Sequence, residues 1–222
     1  LESLIALPLS RASAPELTRL LLSPAIAHRW RLADHGDDVV ALISGSGIRW
    51  GLDSSHRAHF GLAGLSQGTW LSGLDSLLTG LALARGSAPV LAAPAMEGVS
   101  SSDLELVGSL CEVLSRLRKF VAGSRAPAPL REWVDRLRTA LTELAGFPPS
   151  EEWMLAQAHA VLTDLAEAGQ TSRQLNRAEF ARVLSAALPR PRRRSPAGNG
   201  AIQVIRPGEL LHAEFRVVVF LG

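Results

Sequence analysis

The residues best suited to specific chemistry stand together in Ser46-Gly47-Ile48-Arg49-Trp50-Gly51-Leu52-Asp53, followed after a polar stretch by Thr69-Trp70. A guanidinium, an indole and a carboxylate so close in sequence can cap backbone carbonyls, form an ion pair, or offer a cation and an aromatic face to a ligand. Gly47 and Gly51 bracket the Ile-Arg-Trp core and allow the left-handed backbone that other residues avoid. The string therefore predicts a tightly specified turn between helices. On residue types alone it also fits a helix C-cap at Gly45 or Gly47 with Trp50 plugging the core. Arg49 is expected to organise that turn, capping carbonyls or pairing with Asp53.

A second cationic feature lies near the end of the chain. Arg190, Arg192, Arg193 and Arg194 fall within Pro189-Arg190-Pro191-Arg192-Arg193-Arg194-Ser195-Pro196, and Ala197-Gly198-Asn199-Gly200 follows. Proline, glycine and self-repelling charge form no core, so residues 189–200 are expected to be a mobile linker. Its arginines either grip nucleic-acid phosphates in a salt-dependent, sequence-blind way or serve as a solvated tether.

The remaining reactive groups form no catalytic constellation. His56 and His59 stand three apart, but no third ligand is spaced with them, so unpaired surface histidines are expected and no metal site. Asp37-Asp38 and Glu151-Glu152 are neighbours that point about 100° apart on a helix, suited to helix N-termini rather than to shared acid–base work. Cys111 is alone, which excludes an intramolecular disulfide and indicates a reducing compartment. There is no phosphate loop, no nucleophile elbow and no His-Glu-x-x-His, so neither a catalytic residue nor a cofactor is expected.

The elements that must carry these groups follow from periodicity. The 222 residues carry 47% apolar and 20% charged side chains, an ordinary globular balance, and a net charge of +2 that implies no strongly basic surface overall. Lys119 is the single lysine, so arginine supplies nearly all the positive charge. A helix is expected from Ser13-Ala14-Pro15-Glu16 to about Leu22, a short one restarting at Ser23-Pro24 with Ile26 and Trp30, and a third from Asp37 to Ile43. Asp53 to Gln67 reads as a long polar loop. Trp70 to Ala84 is amphipathic, with Leu74, Leu77, Leu78 and Leu81 at helical spacing and Gly73 and Gly80 as close-approach points.

Longer helices are expected over 102–122, 129–145 and 150–168, then one over 176–188. Their apolar stripes include Leu104 and Val107, Trp133 and Leu137, and Trp153 and Leu162, with both tryptophans assigned to the core. Beyond the linker the pattern changes to two β-type runs, Ile202 to Ile205 and Phe215 to Leu221. The architecture expected is mainly α, a helical domain of seven to eight helices over 1–188. A two-strand segment at 201–222 then belongs to an adjoining α/β core. The start without Met and the apolar end suggest a piece of a longer polypeptide. No run reaches the ~18–20 apolar residues of a membrane span, and a cytoplasmic location is expected.

On these motifs the chain resembles the gamma chain, or RecC, family of exodeoxyribonuclease V, the bacterial RecBCD helicase–nuclease. Members carry a segment like SGIRWGLD, here 46–53, then a helix like TWLSGLDSLLTGLAL, here 69–83. Loop VLAAPAMEG (90–98), Glu132-Trp133 and strand RVVVFLG (216–222) follow in similar order. The resemblance implies a superfamily 1 helicase plan that has lost ATP hydrolysis, splits the duplex ahead of two motor subunits and scans single-stranded DNA. It places the present helices in the 2B insertion, with 201–222 returning to a degenerate 2A core.

The implied partners are RecB-like and RecD-like subunits and DNA, held weakly through backbone phosphates. Arg206-Pro207-Gly208-Glu209-Leu210-Leu211-His212 retains none of the nucleotide-serving motif of active relatives. Leu71, Ser72 and Ser76 replace an Arg, a Phe and an Arg usual in the family's aromatic helix. The function expected is thus a non-catalytic scaffold and DNA-channel domain. The alternative is a free-standing helical interaction module.

Overall fold

In the computed structural model, residues 1–84, 95–96, 98–169, 173–188 and 217–219 are described. Ten α-helices occur among them, two more than the eight stretches named from periodicity. The additional pair, α1 (Glu2–Ala6) and α5 (Ser54–Arg57), are each about one turn long, too short for a periodic signal.

The first layer is α2 (Ala14–Leu21), α3 (Pro24–Arg29) and α4 (Gly36–Gly45). Ser13 and Glu16 form a reciprocal cap at the start of α2, with Pro15 in its first turn where a missing N–H costs nothing. Helix α4 ends at the predicted glycine turn, and Gly47 there has φ +74°. Across the turn runs α6 (Trp70–Ala84), with the expected boundaries.

The second layer is α7 (Leu104–Gly123), α8 (Leu130–Leu144), α9 (Glu152–Ala168) and α10 (Arg177–Ala187), each packed on the next. Helix α8 shows why it packs on both neighbours. Leu130, Trp133, Val134, Leu137, Leu141 and Leu144 recur every three or four residues, and all are buried. Two-residue strands β1 (Ala128–Pro129) and β2 (Gln174–Leu175) pair antiparallel, Ala128 opposite Leu175, and bring α10 back beside α8. Trp133 completes that join: its Nε1 donates to the Leu175 carbonyl at 2.8 Å and its ring stacks on Phe180 at 5.1 Å.

The layers are joined by polar bonds that replace lost hydration of buried backbone. Trp30 Nε1 donates to Leu144 O at 3.1 Å, the Gly146 N–H to Ala25 O at 2.9 Å, and Arg177 Nη1 to Pro8 O at 2.7 Å. Leu1–Ala187 forms one compact unit and Leu188–Gly222 a second. The linker, Arg190 to Arg194 and nearly all of 201–222 lie outside the described residues. Val217 to Val219 are exposed and carry no regular structure.

Several expectations are corrected. Trp153 is 58% exposed and Leu104 40%, although both sit at stripe positions. Helix α9 packs through Leu162 and Leu165 in its carboxyl half, and its first turns carry no buried residue among the described ones. The polar stretch after Asp53 is not a plain loop, since α5 and a following 3-10 turn occupy 54–60.

Candidate functional site

The Ser46–Asp53 stretch is held by backbone bonds to two distant segments, 11–14 and 68–71. Ser13 and Trp50 form an isolated antiparallel bridge, with the Ala14 N–H on Arg49 O at 2.8 Å and the Gly51 N–H on Arg11 O at 2.9 Å. The Arg49 N–H donates to Gly68 O, and the Trp70 N–H to Gly51 O, both at 2.9 Å. Ile48 then lies against α6, where a Cβ on Gly73 would stand 2.2 Å from Ile48 Cγ1. Glycine at 73 is therefore required by close approach.

Trp70, rather than Trp50, fills the core. It is 2% exposed, and its Nε1 donates at 3.0 Å to the carbonyl of Ala12, a residue with φ +49°. The Thr69 hydroxyl donates to Ser66 O at 2.7 Å and accepts from the Ser72 N–H, capping α6. Trp50 is half-buried. Arg57 lies over its ring at 4.5 Å and Arg11 at 5.6 Å, and Phe60 meets it edge-on at 5.5 Å.

The carbonyl-capping role expected of Arg49 belongs to Arg57. Its Nη1 donates to Leu65 O at 3.0 Å and Gln67 O at 2.7 Å, and its Nη2 to Trp50 O at 2.8 Å. A planar fork reaches these acceptors where an ammonium could not. Gly51 makes room for it: φ there is +79°, and a Cβ would stand 2.9 Å from Arg57 Cγ. Arg49 is exposed, with a single long contact of 3.5 Å to Ile48 O.

Asp53 likewise pairs elsewhere than expected. Its Oδ1 accepts the His56 N–H at 2.8 Å, capping α5, and its Oδ2 accepts Arg118 Nε at 2.8 Å. Burial pushes the carboxyl pKa up, but the His56 bond, the Arg118 bond and charge, and the charge of Arg125 together hold it below its ordinary value. His56 is 2% exposed rather than a surface histidine. Burial lowers its pKa, and against the opposing pull of Asp53 the charges of His59, Arg125 and Arg177 lower it further. No group of three or more His, Cys, Asp or Glu that could hold a metal occurs among the described residues.

The partners that sequence reasoning missed, Arg57 and Arg118, carry no periodic signal: Arg57 folds onto carbonyls seven to ten residues away in an irregular segment, and Arg118 pairs with a carboxylate 65 positions away. Fold and site together define a helical packing domain whose glycine-bracketed turn is braced from within by its own charged side chains. The chain belongs to the RecC family: a model described as RecBCD enzyme subunit RecC fourth domain matches residues 1–192.

It is similar to the RecBCD enzyme subunit RecC of Mycobacterium tuberculosis, 31% identical over 223 residues, covering 99% of this chain and 20% of that protein. The Mycolicibacterium smegmatis subunit is 30% identical over 222 residues, again 99% of this chain and 20% of that protein. The Escherichia coli subunit is 31% identical over 151 residues, 68% of this chain and 13% of that protein. The chain thus spans about a fifth of the length of the mycobacterial relatives.

Proposed function

We propose that this chain is a non-catalytic domain of a RecC-like subunit in a RecBCD-type helicase–nuclease of double-strand-break repair, supplying scaffold and DNA-channel contacts. The observation that carries the scaffold role is the inward commitment of the turn. Arg57 and Asp53 are spent on carbonyls, a helix cap and Arg118, so the motif orders architecture rather than presenting reactive groups. RecB-like and RecD-like subunits would be its partners, in the cytoplasm. No described helix is long and apolar enough to cross a membrane.

The DNA half of the reading rests on Arg190, Arg192, Arg193 and Arg194, which would hold backbone phosphates without reading bases. Replacing all four by Gln in the assembled complex should lower the slope of log affinity against log salt by about 3. Unchanged binding and unchanged assembly would leave the tract a tether and remove that half of the proposal.

A second reading, a free-standing helical interaction module, draws on the exposure of Trp153 and Met154. The two separate in one measurement. A domain of the larger subunit co-purifies as part of a polypeptide several times its length, whereas a free module migrates at its own 23.7 kDa.

A further inference from the structure

Between α5 and the carboxyl end of α7 lies an open hollow of about 350 Å³. Ser115, Arg118 and Lys119 line one side, on a single face of α7, and Arg125 follows just past that helix's end. Asp53, Ser55 and His56 line the other side. Its charge is lopsided, with three cations facing one carboxylate.

That carboxylate is already occupied by Arg118. Among the described residues Lys119 reaches only Glu143, outside the hollow, at 3.3 Å and with its own side chain 71% exposed, so water screens the pair. Arg125 makes no side-chain hydrogen bond or ion pair among the described residues, and its charge helps depress the pKa of Arg177 nearby. The carbonyls at the end of α7 do not offset this, being taken in part by the N–H groups of Ser124 and Arg125.

His56 forms part of the same hollow, with its Nδ1 beneath the accessible surface and without a hydrogen-bond partner among the described residues. Two hydroxyls line the same hollow, Ser115 beside the cations and Ser55 across from them. Arginine, lysine and serine hydroxyl together are the donor set that backbone phosphates attract.

We propose that this hollow is a phosphate-binding site, with Arg125 and Lys119 as the charged donors and the hydroxyls of Ser55 and Ser115 as neutral ones. Resting on the DNA-channel reading above, it identifies a phosphate contact on the folded body, separate from the arginine tract. The phosphate is either a DNA backbone diester or a free phosphate ion, and the recognition chemistry is the same.

Arginine-specific labelling by phenylglyoxal in the full-length subunit, mapped peptide by peptide, tests this with three additions: oligodeoxythymidine, inorganic phosphate and chloride at matched ionic strength. Oligodeoxythymidine or phosphate should slow labelling of Arg125, while chloride should not. Protection by the oligonucleotide at concentrations where phosphate has no effect assigns the source to DNA, and protection by phosphate alone assigns it to the free ion.

Arg125→Glu should weaken binding of the protecting anion about tenfold, and Arg125→Lys should recover much of it. Arg125 is exposed, so both variants should stay folded, and far-UV circular dichroism and thermal melts separate a folding defect from lost binding. If oligonucleotide protects Arg190 to Arg194 but neither it nor phosphate protects Arg125, the hollow is not a phosphate site while the DNA reading stands. If the hollow is protected by phosphate and no arginine by DNA, the DNA reading falls and the site remains.

Discussion

Asp53 and Arg118, 65 positions apart, meet with Oδ2 at 2.8 Å from the guanidinium, tying the glycine-bracketed turn to the helix α7 of the other layer. The same carboxylate caps α5 through its other oxygen. One side chain therefore sets both a local helix start and a long-range junction.

Asp53→Ala should destabilise the domain by about 1–2 kcal/mol at neutral pH, mainly through the lost cap, and Asp53→Asn by less because the amide oxygen still caps. The folded carboxyl pKa lies below its ordinary 3.8. Its stabilisation is thus fully present above 3.8 and fades as pH falls through the folded value. Thermal melts across acid pH should show a component of acid destabilisation in the natural chain that is missing from Asp53→Asn.

Arg57→Met should cost about 2–3 kcal/mol, since the carbonyls of Trp50, Leu65 and Gln67 lose their donor together. Arg57→Lys should recover only a minor part, an ammonium having no planar fork. Urea unfolding followed by far-UV circular dichroism measures both. A lysine variant as stable as the parent would show that charge alone holds the turn.

Gly73→Ala should destabilise by about 1–3 kcal/mol, because the added Cβ falls on Ile48. Shortening Ile48 to Ala in the same chain should make the second substitution nearly free, so a double-mutant cycle should show coupling. Additive costs would mean that the two residues do not meet.

The two tryptophans at corresponding helix starts should behave oppositely. Trp133→Ala removes a side chain 2% exposed, its ring stack and its bond to Leu175, and should cost about 3–5 kcal/mol. Trp153→Ser, at a site 58% exposed, should stay within about 0.5 kcal/mol. Equal losses in denaturant midpoint would contradict the burial seen here.

Helix identity was legible in the chain because it is written locally. Ser13 with Glu16 and Pro15 marked the start of α2, and the spacing of Leu74, Leu77 and Leu81 marked the body of α6. Gly47 and Gly51 announced left-handed backbone, and both adopt it. Periodicity names a face, however, not what covers it. That is why Trp133 and Trp153 looked alike, and why His56 was assigned to the surface.

What the amino-acid order determined by itself is the helical body, its caps and the existence of a specified turn, since these depend on residues within one or two turns of each other. Tertiary structure alone decided which guanidinium braces that turn and which carboxylate it leaves for α7. It also gathered Arg118, Lys119 and Arg125 opposite Ser55 and His56. Contacts between residues tens of positions apart leave no periodic trace, because they arise only when separate helices have packed and desolvated the groups between them.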